Sequence, residues 1–326
     1  MKPKSIIIFN RFKYFGGTIV LSCLCKTLRE MGYDARLFMC IDIPFNSTEE
    51  AAFTRNNIKK LTKHFLSEYT TKVKKWFCKK SNSPFPSDIT SIDMDGLAFH
   101  KFPLIDKENS IVIYPEVTYG NPLHAKHVIR WLMYHYPYSL KSKAYSPNDV
   151  FVAYRKVFNS PELNPENVII SQRYFNKELY RQYNEGERKG NCYILRKGRN
   201  RADLPKEFDG PVFDDNMSQK ELVRMFNTYK YCYSYDTQTF YTKIASICGC
   251  IPIVIMEPGK NASDYLSPDE YHYGVAYGNT PEQIDYAIRT RDLCLKSVDY
   301  SESNKENAQL LVELLVKRFG PIKRIQ

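Results

Sequence analysis

The spacing of apolar positions changes repeatedly along this chain, and each change marks an element. Residues 5–9 read as a short strand, Ile6 to Phe9 forming a continuous apolar run of the kind buried on both faces. From Thr18 onward, Ile19, Val20, Cys23, Leu24 and Leu28 recur on one helical face, and Gly32 ends that helix. Residues 35–41 are strand-like again. A strand, a glycine-bearing turn, a helix and a second strand open a parallel α/β unit.

Residues 54–80 carry Arg55, Lys59, Lys60, Lys63, Lys72, Lys74, Lys75, Lys79 and Lys80, interleaved with Ile58, Leu61, Phe65, Trp76 and Phe77. That is a basic amphipathic helix. It either packs its apolar stripe on its own domain or lies on an anionic membrane. Periodicity is weak over 81–110, apart from a short strand at 97–102. Ile111 to Tyr114 is a clear strand ending in Pro115 and Glu116. A turn with Gly120, Asn121 and Pro122 then leads to an expected helix over 123–134, where His124 and His127 would share a face.

The polar stretch 184–191 reads as a linker before a fresh strand at 192–195. Ser218 and Glu221 have the spacing of a capping box, so a helix follows through Leu222 and Phe226. Strands at 231–234 and 251–256 bracket a helix at 239–247. Thr280 and Pro281 open another helix, and a final one runs over 305–319 before Gly320 and Pro321. The expected class is α/β, with two Rossmann-like domains.

Composition narrows the picture. At 326 residues, 43% hydrophobic and 25% charged, the chain fits two globular domains. No run approaches the roughly 18 apolar residues of a membrane span. The first apolar run stops at Asn10 and Arg11, short of a signal peptide's apolar region of about 7–15 residues. A cytoplasmic location is therefore expected. Nine cysteines, an odd number with many in apolar stretches, agree with it. Cys23 and Cys25, like Cys248 and Cys250, are one residue apart, which suits small core residues better than a zinc knuckle. The net charge of +11 permits nucleic acid, anionic lipid or phosphorylated ligands. The 25 tyrosines suit sugar and base stacking, though most serve as half-buried strand residues.

In open parallel sheets, ligands bind beyond the carboxyl ends of strands. Four loops meet that condition. Gly16 and Gly17 precede a helix whose free amides favour an anion. Arg196 and Lys197, in a run continuing to Arg201, follow a strand and suit a diphosphate. Tyr235, Asp236 and Thr239 stand between a strand and a helix, where Asp236 either binds hydroxyls or caps the helix. Glu116 is a candidate general base, or a binding group, for an acceptor hydroxyl. His124 is a weaker catalytic candidate, and the His124/His127 pair lacks a carboxylate partner for a metal. No nucleophile elbow, P-loop, HExxH or EF-hand is present.

The segments 218–227, 231–236 and 244–254, the last with Cys248, Gly249 and Pro252, resemble the donor-binding half of GT-B glycosyltransferases. Val112 to Glu116, Gly120 to Leu123 and Val128 to Leu132 are similar to the N-terminal half of bacterial members that build surface polysaccharides such as O-antigen and capsule. The resemblance implies two Rossmann-like domains facing a central cleft. Residues 1–175 would form the acceptor side, 176–300 the nucleotide-sugar domain, and 301–326 a helix returning to the first. It further implies that Arg196 and Lys197 meet the donor diphosphate, and that Tyr235, Asp236 and Thr239 surround the phosphates and sugar. No metal or other cofactor is expected. The implied partners are a nucleotide sugar, a glycan or polyprenyl-linked acceptor, and an anionic membrane face at 54–80, with no nucleic acid. One departure concerns the donor ribose. Many relatives hold it with a Glu where this chain has Ile244, and Glu257 is the candidate substitute. The other readings are a nucleotide-sugar epimerase and a basic nucleic-acid-binding protein.

Overall fold

The computed structural model describes residues 2–11, 16–76, 98–99, 105–134, 145–213, 217–266 and 271–325. They fall into two compact units. Among the described residues, the first holds those before Phe175 together with those from Tyr300 onward, and the second holds those of Phe175–Asp299.

The first unit is built on a six-stranded parallel sheet. Its strands are β1 (Ser5–Arg11), β2 (Ala35–Cys40), β3 (Ala98–Phe99), β4 (Ser110–Pro115), β5 (His127–Leu132) and β6 (Val150–Ala153). Their order is β3-β2-β1-β4-β5-β6, the reversal point of a doubly wound sheet lying between β1 and β4. Registers such as Ile6 opposite both Ala35 and Ile111 place apolar residues side by side across the sheet. Helices α1 (Gly16–Glu30) and α7 (Ser301–Phe319) cover one face. There Leu21, Leu24 and Leu28 share a core with Ile8, Ile113, Trp131, Leu311 and Leu315. On the other face, Phe53 of α2 (Ser47–Trp76) joins Phe9, Phe38 and Tyr114. Burial on both faces explains why these strands read as apolar runs rather than alternations.

A polar seam fixes α7 to this unit. The Asn304 side-chain amide donates to the Arg173 carbonyl (2.8 Å), and the Gln172 amide donates to the Asn304 carbonyl (2.8 Å). The tail closes by parallel pairing of Ile322 with Lys4.

Two sequence expectations change here. Residues 123–134 form a turn and then β5, not a helix. His124 sits in the turn with φ of 52°, and His127 starts the strand, so the two share no helical face. Val128, Ile129, Trp131 and Leu132 are apolar around Arg130, and over so short a segment that spacing fits a helical face as well as a buried strand. The second change is that Gly16 and Gly17 form the first turn of α1 rather than a loop before it.

The connection from β4 to β5 has no helix, so it needs other partners for its polar groups. Arg130, 1% exposed, donates through Nε to Asp149 (2.8 Å) and through Nη1 to the Thr118 carbonyl (3.1 Å). Its guanidinium lies 4.9 Å from the Tyr114 ring and 5.2 Å from the Tyr145 ring. Removing one member of such a buried pair costs about 3–5 kcal/mol. Gly120, at φ of 61°, packs where a Cβ would collide with the Glu50 carboxylate, which accepts the Asn121 N–H at 2.6 Å.

The second unit holds β7 (Asn191–Ile194), β8 (Val212–Phe213), β9 (Tyr231–Ser234), β10 (Ile251–Val254) and β11 (Ala276–Tyr277). All are parallel, in the order β11-β10-β9-β7-β8. The reversal point is therefore between β7 and β9. The helices are α3 (Gln219–Thr228), α4 (Tyr241–Ile247), α5 (Pro281–Arg289) and α6 (Arg291–Ser297). Both arms of the Ser218–Glu221 capping box form, and Thr280 caps α5 ahead of Pro281. Cys23, Cys25, Cys248 and Cys250 are buried and free.

The basic segment is helical from Ser47 to Trp76; Phe77, Lys79 and Lys80 lie outside the described residues, as do Leu97 and Phe102. Among the described residues no helix is long and apolar enough to cross a membrane.

Candidate functional site

The carboxyl ends of β7 and β9 flank the reversal point of the second sheet, where the diverging connections leave a crevice. The chain after β7 winds into a 3₁₀ turn over Arg196–Gly198. It does so with Arg196 at φ of 34°, a left-handed conformation unusual for a residue with a side chain. Such local strain is concentrated at ligand sites. Gly198 is required by close approach: a Cβ there would collide with the Tyr235 carbonyl after β9. The two loops are thus packed backbone to backbone.

This packing brings three of the sequence-predicted residues together. Arg196 Nη1 donates to the Thr239 hydroxyl (3.4 Å) and lies 4.0 Å from Asp236 Oδ2. Its guanidinium also stands 4.7 Å from the Tyr241 ring centre. Asp236 is 2% exposed, and its Oδ2 accepts no hydrogen bond. A buried carboxylate oxygen with only a long ion pair is an unfilled acceptor, a feature that calls for a hydroxyl or water. Asp236 therefore does not act as the helix cap. Phe240 holds the N-cap position of α4 and makes no side-chain cap bond.

The remaining predicted residues divide. Lys197 is exposed beside this cluster. Tyr235 is half-buried, its hydroxyl pKa raised by burial, and its carbonyl accepts from Arg201 (3.2 Å). Glu257 is exposed beyond β10, where its N–H donates to the Tyr265 hydroxyl (3.1 Å). Ile244 is 4% exposed, a core residue of the second unit.

Arg201 behaves unlike the other cations of its run. Its Nε and Nη2 donate to the Asp203 carboxylate (2.9 and 2.5 Å), and Nη1 to the Tyr235 and Ile255 carbonyls (3.2 and 2.6 Å). A further Nη2 bond reaches the Met256 carbonyl at 3.0 Å. All five donors are spent within the fold, two on Asp203 and three on carbonyls that tie the ends of β9 and β10 together. Hydrogen bonding to Asp203 raises its pKa further.

Beside the cluster lies a cavity of ≈ 340 Å³, lined by Thr239, Phe240, Lys243, Tyr265, His272 and Tyr277 among others. Thr239 belongs to both, so the cationic loop and the aromatic cavity adjoin. Tyr265, His272 and Tyr277 were not among the sequence candidates. The recurrence of Tyr265, Tyr271, Tyr273 and Tyr277 within thirteen positions is the signal that could have found them.

In the first unit, Glu116 follows β4 at the reversal point of its sheet. It is 3% exposed, and its Oε2 accepts the Met133 N–H (3.0 Å). Burial raises its pKa above the ordinary carboxylate value, and the Met133 bond opposes that only in part. Gly16 is exposed at the start of α1, and a Cβ on it would meet nothing within 4 Å, so packing does not demand a glycine there. His124 is exposed in its turn. Among the described residues, no cluster of three or more His, Cys, Asp or Glu is placed to hold a metal.

No family model matches the chain, and no curated protein matches it. Among solved structures, it is similar to a glycosyltransferase from Rickettsia africae ESF-5, with 10% identity over 98% of both chains and a TM-score of 0.40. It is also similar to an alpha-glucosyltransferase in complex with UDP-glucose and DNA containing an abasic site. There the identity is 12%, over 97% of this chain and 96% of that one, with a TM-score of 0.40. Neither likeness decides an assignment, which rests on this chain's own residues.

Proposed function

We propose that this chain is a metal-independent glycosyltransferase of the GT-B type, moving a sugar from a nucleotide-sugar donor to a glycan or lipid-linked acceptor in bacterial surface-polysaccharide synthesis. The observation that carries the reading is the convergence of Arg196, Asp236 and Thr239 at the β7/β9 reversal point, next to an aromatic-lined cavity. Arg196 and Lys197 meet the donor diphosphate. Asp236 accepts a sugar or ribose hydroxyl, and the tyrosine-lined cavity takes the base.

In the transfer step the acceptor oxygen bonds to the anomeric carbon. The bond from that carbon to the diphosphate breaks, and its electron pair leaves on the nucleoside diphosphate. Arg196 and Lys197 stabilise that negative charge, the role a metal would otherwise fill. Glu116 takes the acceptor's proton; a buried carboxylate with a raised pKa is the better base near neutral pH. The basic helix α2 gives peripheral contact with anionic membrane, where a lipid-linked acceptor would be found.

The nucleic-acid reading loses Arg201, whose donors are all committed within the fold. The test is release of nucleoside diphosphate from nucleotide sugars by the purified protein with bacterial glycolipid extract. Release that depends on the extract supports transfer, and nucleotide-sugar isomerisation without release supports an epimerase instead.

A further inference from the structure

A second cavity, of ≈ 310 Å³, lies in the first unit where the chain leaves β2 and enters α2. Asp42, Phe45, Phe53, Asn56, Asn57 and Lys60 line it. Its size is at the lower end for small-molecule sites.

Asn57 gives the strongest sign of a ligand. It is 3% exposed, and its Oδ1 accepts the Ile41 N–H at 3.1 Å, which fixes the amide's orientation. The other end, Nδ2, has no hydrogen-bond partner. Buried amide nitrogens are ordinarily paired, so this donor points to a missing acceptor.

The surrounding groups define what that acceptor belongs to. Asp42 pairs with Lys60 (2.5 Å) and with Arg11 (3.5 Å), each contact at least partly open to solvent. Glu49 accepts from the Phe45 N–H (2.7 Å) and the Asn46 amide (3.0 Å). Two carboxylates thus stand against two cations, a balance that gives no preference for an anion. Phe53 is buried at 4% exposure, whereas Phe45 is 53% exposed, leaving a free aromatic face at the rim. Donors and acceptors close together beside an open ring suit a neutral polyhydroxylated ring, whose C–H face covers the aromatic while its hydroxyls take both bond types.

The cavity is also fastened to the loop that begins with Glu116. The Tyr119 N–H donates to the Pro44 carbonyl (2.8 Å), and the Asn121 N–H to Glu50 (2.6 Å). Its rim and the loop that begins with the candidate base are therefore hydrogen-bonded to each other at the carboxyl end of the first sheet.

We propose that this cavity is a subsite for a neutral sugar residue of the acceptor, with Asn57 donating to a hydroxyl, Asp42 accepting from one, and Phe45 stacking on the ring. The proposal rests on the glycosyltransferase reading above. The test is saturation-transfer NMR and titration of the full chain with methyl hexopyranosides and their disaccharides. Phe45→Ala and Asp42→Asn are run alongside, since both residues are exposed enough to change without unfolding. Asn57→Asp, which keeps the acceptor for Ile41, is added with a melting curve.

At least one saccharide should bind the wild type, and affinity should fall tenfold or more in Phe45→Ala and in Asp42→Asn. Absence of saccharide binding, equal binding in both variants, or displacement by inorganic phosphate would overturn the subsite. Nucleoside diphosphates titrated into the wild type separate the two failures. If they bind where no saccharide does, the subsite alone falls. If neither binds, the transferase reading falls with it.

Discussion

Gly198 packs so closely on the carbonyl of Tyr235 that no side chain fits between them. That contact joins the loops after β7 and β9, and it sets where Arg196 and Asp236 stand. Gly198→Ala must push the loops apart. We expect a destabilisation of about 1–3 kcal/mol from overpacking, and at least a tenfold weaker nucleoside-diphosphate affinity. Chemical denaturation and calorimetric titration measure the two effects, and an unchanged affinity would show that the two loops do not act as one site.

Lys197 and Arg201 are four residues apart and carry the same charge, yet opposite outcomes are expected. Arg201→Ala removes five donors from backbone and Asp203 partners and should lower the melting temperature markedly. Lys197→Ala touches no packing and should leave the melting temperature alone. It should weaken nucleoside-diphosphate binding about tenfold, or about 1.4 kcal/mol. Reversal of this pattern would reassign the diphosphate to Arg201.

Burial holds the Glu116 proton to a higher pH than in the unfolded chain. Its contribution to stability is therefore full below the unfolded pKa and is lost as pH rises through the folded one. Glu116→Gln is neutral throughout and can still accept the Met133 N–H, so it should be as stable as the wild type at neutral pH, or more so. Transfer should fall by about 10²–10⁴ if Glu116 is the base. The wild-type rate should decline on acidification at a pH above the ordinary carboxylate range. A normal rate for Glu116→Gln would end its candidacy.

The basic helix gives a prediction in a lipid assay. Charge reversal at Lys72, Lys74 and Lys75 should reduce co-sedimentation with phosphatidylserine vesicles, each charge contributing about 1 kcal/mol near such a surface. Unchanged co-sedimentation would remove the membrane contact from the proposal.

The sequence made some features plain and hid others for identifiable reasons. Ser218 with Glu221, and Thr280 with Pro281, encode helix starts through contacts three residues apart or fewer, and both formed. β5 differs from the helix expected there because its apolar positions, Val128, Ile129, Trp131 and Leu132 around Arg130, fit a helical face as well as a short buried strand. Strand order is a long-range property: the β7/β9 reversal point rests on pairings such as Asn191 with Tyr231, which no local pattern encodes. The same holds for Arg201. Its carbonyl partners at Tyr235, Ile255 and Met256 lie far along the chain, and in sequence it looked like any other cation in its run. The unfilled oxygen of Asp236 and the unpaired amide of Asn57 depend on what is missing around them, and a sequence does not record that.

The most direct measurement is a thermal-shift and titration series of the intact protein against UDP, GDP, ADP, dTDP and their sugar conjugates, repeated with Arg196→Ala. The prediction is a selective rise in melting temperature with one nucleoside diphosphate and its conjugates, reduced at least tenfold in apparent affinity by Arg196→Ala. No rise with any of them, or one that Arg196→Ala leaves untouched, would contradict a donor site at the β7/β9 crevice.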